Sequence, residues 1–161
     1  MKLAEPDLLN EDERLPLERL AAFPLLAEIH AWWRRHRPAP RRPSVDPLAF
    51  SAALLPRLIL LDVEGRDRFR TRLAGTDVCT DRGRELRGLL LEDIHSPEEL
   101  ERVAAPLRRV VQTWQPDLRR RRYRTAELVD HCYARLALPL SDDGVRVTGL
   151  LLASERVTDE G

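Results

Sequence analysis

At 161 residues, 43% of them hydrophobic and 34% charged, the chain is long enough for one domain with terminal extensions and too apolar for a disordered segment. Its 27 basic residues are balanced by 27 acidic ones, which argues against a nucleic-acid binder. No stretch approaches the ~20 apolar residues of a membrane helix. The acidic start MKLAEPDLLNEDER lacks the apolar core of a signal peptide. Neither nucleic acid nor membrane is therefore an expected partner, and the cytoplasm is the expected location. Cys79 and Cys132, the only cysteines, make neither a disulfide framework nor a Cys-rich zinc site. Lys2 is the only lysine, which leaves no Schiff-base or P-loop lysine.

Residues 10–36 read as helix. Asn10 is a good N-cap, and Glu11, Asp12 and Glu13 suit the positive end of the helix dipole. Pro24 fits the first turn of a second helix, in which Leu25, Leu26, Ile29, Trp32 and Trp33 share one face. Residues 37–47 carry four prolines and read as an extended connector. Asp46 followed by Pro47 predicts a short helix through about Leu54.

Beyond Pro56 the period changes. Residues 57–64 and 68–73 predict a β-hairpin across the turn Glu64-Gly65-Arg66-Asp67. In its second strand Phe69, Thr71 and Leu73 alternate with Arg68, Arg70 and Arg72. Residues 75–113 read as short helices, with a strong helix start at Ser96-Pro97-Glu98-Glu99 and an end near Trp114. Three strands follow, over 118–126, 128–140 and 145–156, the last two joined by the turn Ser141-Asp142-Asp143-Gly144. The expected fold class is α+β: a five-stranded antiparallel sheet with short helices inserted after strand 2, preceded by an N-terminal helical extension.

The segments AEIHAWWRRHR at 27–37, RRPSVDPLAF at 41–50, LLPRLILLDVE at 54–64 and RFRTRLAGTDV at 68–78 carry a resemblance. So do GRELRGLLLEDI at 83–94 and LPLSDDGVRVTGLLLA at 138–153. In this order they resemble a PAS-like family of small, mostly stand-alone proteobacterial proteins. The resemblance implies a sensory or interaction fold with no output domain in the chain. On this division residues 1–46 form the helical extension and Pro-rich connector, 47–157 the PAS-like domain and 158–161 a tail. The chain is then a signalling domain that binds a small molecule, a protein partner, or both. A ligand-free dimeric scaffold is the alternative, and a small α+β enzyme the weaker one.

A pocket is expected between the sheet and residues 75–95. Phe69, Thr71, Leu73, Thr76, Cys79 and Leu90 are its candidate lining, with the two threonines orienting a ligand among apolar walls. A space filled by side chains is the competing expectation. Adjacent Trp side chains on a helix point ~100° apart. One can pack on the sheet and the other on a second chain, so Leu25, Ile29, Trp32 and Trp33 are the candidate homodimer interface.

No cofactor is expected. Cys79 lacks the Asn-Cys-Arg-Phe-Leu-Gln surroundings of flavin-binding photoreceptors and reads, like Cys132, as a core residue. Haem is set aside because the helix from Pro97 to Trp114 contains no His. The four scattered His residues have no zinc spacing, so no metal is expected. No nucleophile elbow, dinucleotide loop or Walker loop occurs, so no enzyme and no catalytic residue is expected. The run Arg119-Arg120-Arg121-Arg122-Tyr123-Arg124 has two readings. It is an anion or RNA site, or, in preference, an edge strand whose charges block aggregation.

Overall fold

The computed structural model describes residues 9–124 and 130–157. The expected tail, 158–161, lies outside the described residues, as do residues 1–8 and 125–129 at the expected junction of two strands. The strands are β1 (Leu9–Leu15), β2 (Ile59–Glu64), β3 (Arg68–Ala74), β4 (Asp117–Arg124), β5 (Asp130–Leu140) and β6 (Gly149–Arg156). They form one antiparallel sheet in the order β1-β4-β5-β6-β2-β3.

Among the described residues the sheet has six strands, where five were expected. The extra strand is β1, whose residues were expected to open a helix. Its acids lie opposite the arginines of β4: Glu11 against Arg122, Asp12 against Arg121 and Glu13 against Arg120. Opposite charges across a strand pair are favourable. A tertiary partner of this kind outweighs the modest helix preference of the segment. The same pairing corrects the expected place of the arginine run. β4 is an interior strand between β1 and β5, and β1 takes the edge.

Both faces of the sheet are covered. Pro24–Arg34 forms α1, which lies on one face with Leu26 and Ile29 fully buried among Leu118, Ala134, Leu136 and Leu138. No side chain of its own caps α1. Glu155 on β6 does so instead, its Oε1 accepting from the N–H groups of Leu25 at 2.7 Å and Leu26 at 3.2 Å. The connector runs on in 3-10 turns, including Pro47–Ala49 where a longer helix was expected; Asp46 caps that turn at the N–H of Leu48. Arg42 pins the connector to the sheet by donating to Asp142 and Asp62, each at 2.8 Å.

The other face carries α2 (Thr76–Arg82), α3 (Leu91–Ile94) and α4 (Pro97–Thr113). Gly75 precedes α2 against the backbone of Leu55 and Pro56, where a Cβ would overlap main-chain atoms. Gly83 ends α2 in the left-handed region, which glycine enters without penalty. Asp93 caps α3 by accepting from the N–H of Leu90. Ser96 caps α4 as its sequence predicts.

Candidate functional site

A cavity of about 640 Å³ lies between the sheet and α2–α4. Strand alternation creates it. On β5, Cys132, Ala134, Leu136, Leu138 and Leu140 turn toward the α1 side and are all buried. The intervening His131, Tyr133 and Arg135 line the cavity, together with Arg121 and Tyr123 of β4. Ile59, Leu61 and Leu152 supply apolar floor, and Leu91, Ile94, Val103 and Leu107 the apolar roof.

Charge is placed at separate positions around this space. Near the start of α4, Glu99 is 5% exposed, with its Oε1 2.9 Å from His95 Nδ1 and 2.8 Å from Arg82 Nη2. His95 Nδ1 also stands 3.2 Å from Arg82 Nη2, so the three side chains form one closed cluster. Burial alone would raise the Glu99 carboxyl; the hydrogen bonds from His95 and Arg82 and their charges outweigh it and hold the group at about 2.

Across the sheet, Asp12 and Asp117 are interleaved with Arg119, Arg121 and Arg135. Arg119 Nε donates to Asp117 Oδ2 at 2.8 Å, and Arg135 Nη2 stands 2.9 Å from the same oxygen. Arg121 Nε donates to Asp12 Oδ1 at 3.2 Å. Burial pushes the Arg135 guanidinium down to about 9, with the Arg121 charge adding to it and Asp117 opposing. It remains cationic at neutral pH. Between these positions Arg57 lies 4.0 Å over the Tyr133 ring and pairs with Asp81 at 3.0 Å.

Of the six candidate lining residues, Thr71 lines this cavity. Phe69 and Leu90 are buried in the surrounding packing. Cys79 is half-buried on α2, with Sγ near the Ala74 carbonyl and Glu85. Leu73 and Thr76 line a separate surface hollow beside Pro47 and Pro56. The displacement of Leu73 has a definite cause. Leu60 pairs with Leu73 but Leu61 with Thr71, so Arg72 is an extra residue and a β-bulge reverses the alternation.

The residues expected at a dimer interface are engaged within the chain. Ile29 is fully buried, and Leu25 packs against the same core. Trp33 Nε1 donates to the Pro139 carbonyl at 2.8 Å, and Trp32 stands edge-on to Phe50 at 5.1 Å.

The sequence reading missed Arg57, Arg82, Glu99, Arg121, Tyr133 and Arg135 as cavity residues. His131 lines the cavity as well. Two signals were present. Arg135 interrupts an otherwise apolar strand, and His95 and Glu99 are four apart at a helix start, a spacing that brings side chains together. Among the described residues no group of three or more His, Cys, Asp or Glu is placed to hold a metal, and no helix is long and apolar enough to cross a membrane.

No curated protein matches this chain. Similar solved structures include a light-oxygen-voltage domain studied with a flavin analogue, at 14% identity over 65% of this chain and 78% of that one, with a TM-score of 0.43. A light-oxygen-voltage protein of Rhodobacter sphaeroides matches at 14% identity over 68% of this chain and 65% of that one, with a TM-score of 0.48. A fungal light-oxygen-voltage photoreceptor matches at 14% identity over 88% of this chain and 99% of that one, again at 0.48. These matches correct one expectation. Flavin was set aside for want of a photoreceptor cysteine motif around Cys79. With such photoreceptors recurring among the similar structures, that exclusion is withdrawn and flavin becomes a ligand to test for. The family model described as a PAS domain matches residues 23–152, from the start of α1 to the middle of β6. With more than half of its length so matched, the chain belongs to the PAS-domain family.

Proposed function

We propose that this chain is a sensory domain that takes up a small molecule in the cavity between the sheet and α2–α4 and reports its presence to a protein partner. The cavity itself carries the reading. Its volume of about 640 Å³ falls in the range of ~300–1,000 Å³ usual for small-molecule sites. Most of its wall area is apolar, as in a ligand pocket, and charged side chains such as Arg57, Glu99, Arg121 and Arg135 are set at fixed places in it. The role is binding rather than catalysis. The ordered segments between residues 27 and 153 support a finer placement, among the small stand-alone proteobacterial members of the family.

The test is native mass spectrometry of the protein purified from its own host, compared with the denatured mass. An excess mass on the native chain, lost in the cavity-filling variant Ser154→Trp, is the expected result. A native mass equal to that of the bare chain in both proteins would overturn it. A bare mass at twice the chain weight would favour the ligand-free dimeric scaffold. The inward engagement of Ile29 and Trp33 speaks against α1 as the surface of such a dimer.

A further inference from the structure

The buried charge cluster beneath the cavity does not balance. Among the described residues it holds Arg119, Arg121 and Arg135 against Asp12 and Asp117, three cations against two carboxylates. Arg14 also approaches Asp117, at 3.8 Å, but from solvent, where its charge is screened. One buried positive charge is therefore in excess.

The hydrogen bonds are incomplete in the same place. Among the described residues, Arg121 Nη2 and Arg135 Nε and Nη2 are buried with no hydrogen-bond acceptor; Nη2 of Arg135 is close to Asp117 but poorly directed at it. Asp117 Oδ1 accepts no hydrogen bond among the described residues, because Arg119 and Arg135 converge on Oδ2. Of these five residues only Arg121 and Arg135 line the cavity. A buried donor without an acceptor is costly, and buried native donors are rarely left in that state.

We infer that Arg121 and Arg135 together receive the carboxylate of an apolar organic acid whose body lies along Ile59, Leu61, Leu91, Ile94, Leu107 and Leu152. This rests on the cavity being a ligand site and names the class of its ligand. A planar carboxylate matches the guanidinium fork, and its single charge equals the excess. The anion completes donors that the chain leaves open, and the apolar tail removes cavity wall from water.

The experiment is calorimetric titration of the full chain with decanoate and with decanol, which share an apolar body and differ in charge. Decanoate binds one molecule per chain and at least about tenfold more tightly than decanol, because hydrogen bonds to charged groups carry the difference. Arg121→Gln weakens decanoate by about tenfold or more and leaves decanol unchanged. Asp12→Asn removes the carboxylate that competes for Arg121 and tightens decanoate. A merely structural cluster would weaken under both substitutions.

Equal affinity for decanoate and decanol would overturn the carboxylate and leave the cavity as a ligand site. No binding of either, with the same silence from hexanoate to hexadecanoate and from their alcohols, would overturn the carboxylate; the native mass then decides separately whether the cavity is occupied. Stoichiometric flavin in the purified protein, seen by its visible absorption, would also overturn it. Should Arg121→Gln fail to fold, the decanoate and decanol pair on the unaltered chain still decides.

Discussion

The two faces of the sheet are built from the same strands and solve opposite problems. Under α1 the contributions of β5 are Ala134, Leu136, Leu138 and Leu140, all fully buried against Leu26, Ile29 and Leu54. Under α2–α4 the same strand presents His131, Tyr133 and Arg135 to a cavity of about 640 Å³. One face is filled and apolar. The other is hollow, with charge held at its margins. The difference teaches that stability and recognition can be assigned to alternate residues of one strand, because successive side chains point to opposite sides. The packed face then offsets the cost of burying Arg135 on the other.

Substitutions chosen by face test this contrast. The largest effect is expected on the packed side: Leu136→Ala removes a fully buried side chain and should cost about 2–5 kcal/mol in urea unfolding. A loss below about 1 kcal/mol would mean that this face tolerates voids as the other does. Next is the charge cluster. Asp117→Asn leaves Arg119 and Arg135 without their shared carboxylate and should cost about 3 kcal/mol, whereas Arg135→Met should be neutral or stabilising. A large loss in Arg135→Met, measured the same way, would make Arg135 a structural cation.

Adding volume separates the faces further. Ala134→Leu overpacks the α1 side and should cost about 2 kcal/mol, while Ser154→Leu enters the cavity at little cost. Equal losses in thermal unfolding would show that the cavity closes in solution.

Acid acts on the hollow side through Glu99. Its folded pKa of about 2 lies below the ordinary 4.5, so its contribution is complete above pH ~4.5 and is lost as pH falls toward 2. The loss is on the order of 2 kcal/mol over that window, and Glu99→Gln should flatten it. An unchanged acid limb in the variant would remove Glu99 from the account. The smallest effect is at Glu155, where Glu155→Ala takes the cap from α1 and should cost about 1 kcal/mol. An unchanged midpoint would show that α1 is held by its apolar face alone.

Much of the fold was legible. The apolar run of residues 57–64, the alternation over 68–73 and the apolar stretches of 130–140 and 149–156 marked strands, and Ser96-Pro97 marked the long helix, because these signals act within a few residues of one another. The site was less legible, since its residues are joined only across the sheet. The bulge at Arg72 redirected Leu73 without leaving a mark on the local alternation. Glu99 looked like an ordinary first-turn acid until His95 and Arg82 closed around it.

The sequence by itself determined the hairpin over residues 57–73, the start and cap of α4 and the kind of fold they compose, since these follow from local backbone and side-chain preferences. Only the tertiary structure decided that residues 9–15 become a strand, that Glu155 caps a helix 130 positions away in sequence, and that the arginines of β4 lie inside the sheet. Each of these depends on the energy of a partner distant in the chain. Opposite charges across β1 and β4, and two buried guanidinium side chains in a cavity wall, exist only once the sheet has brought those residues together.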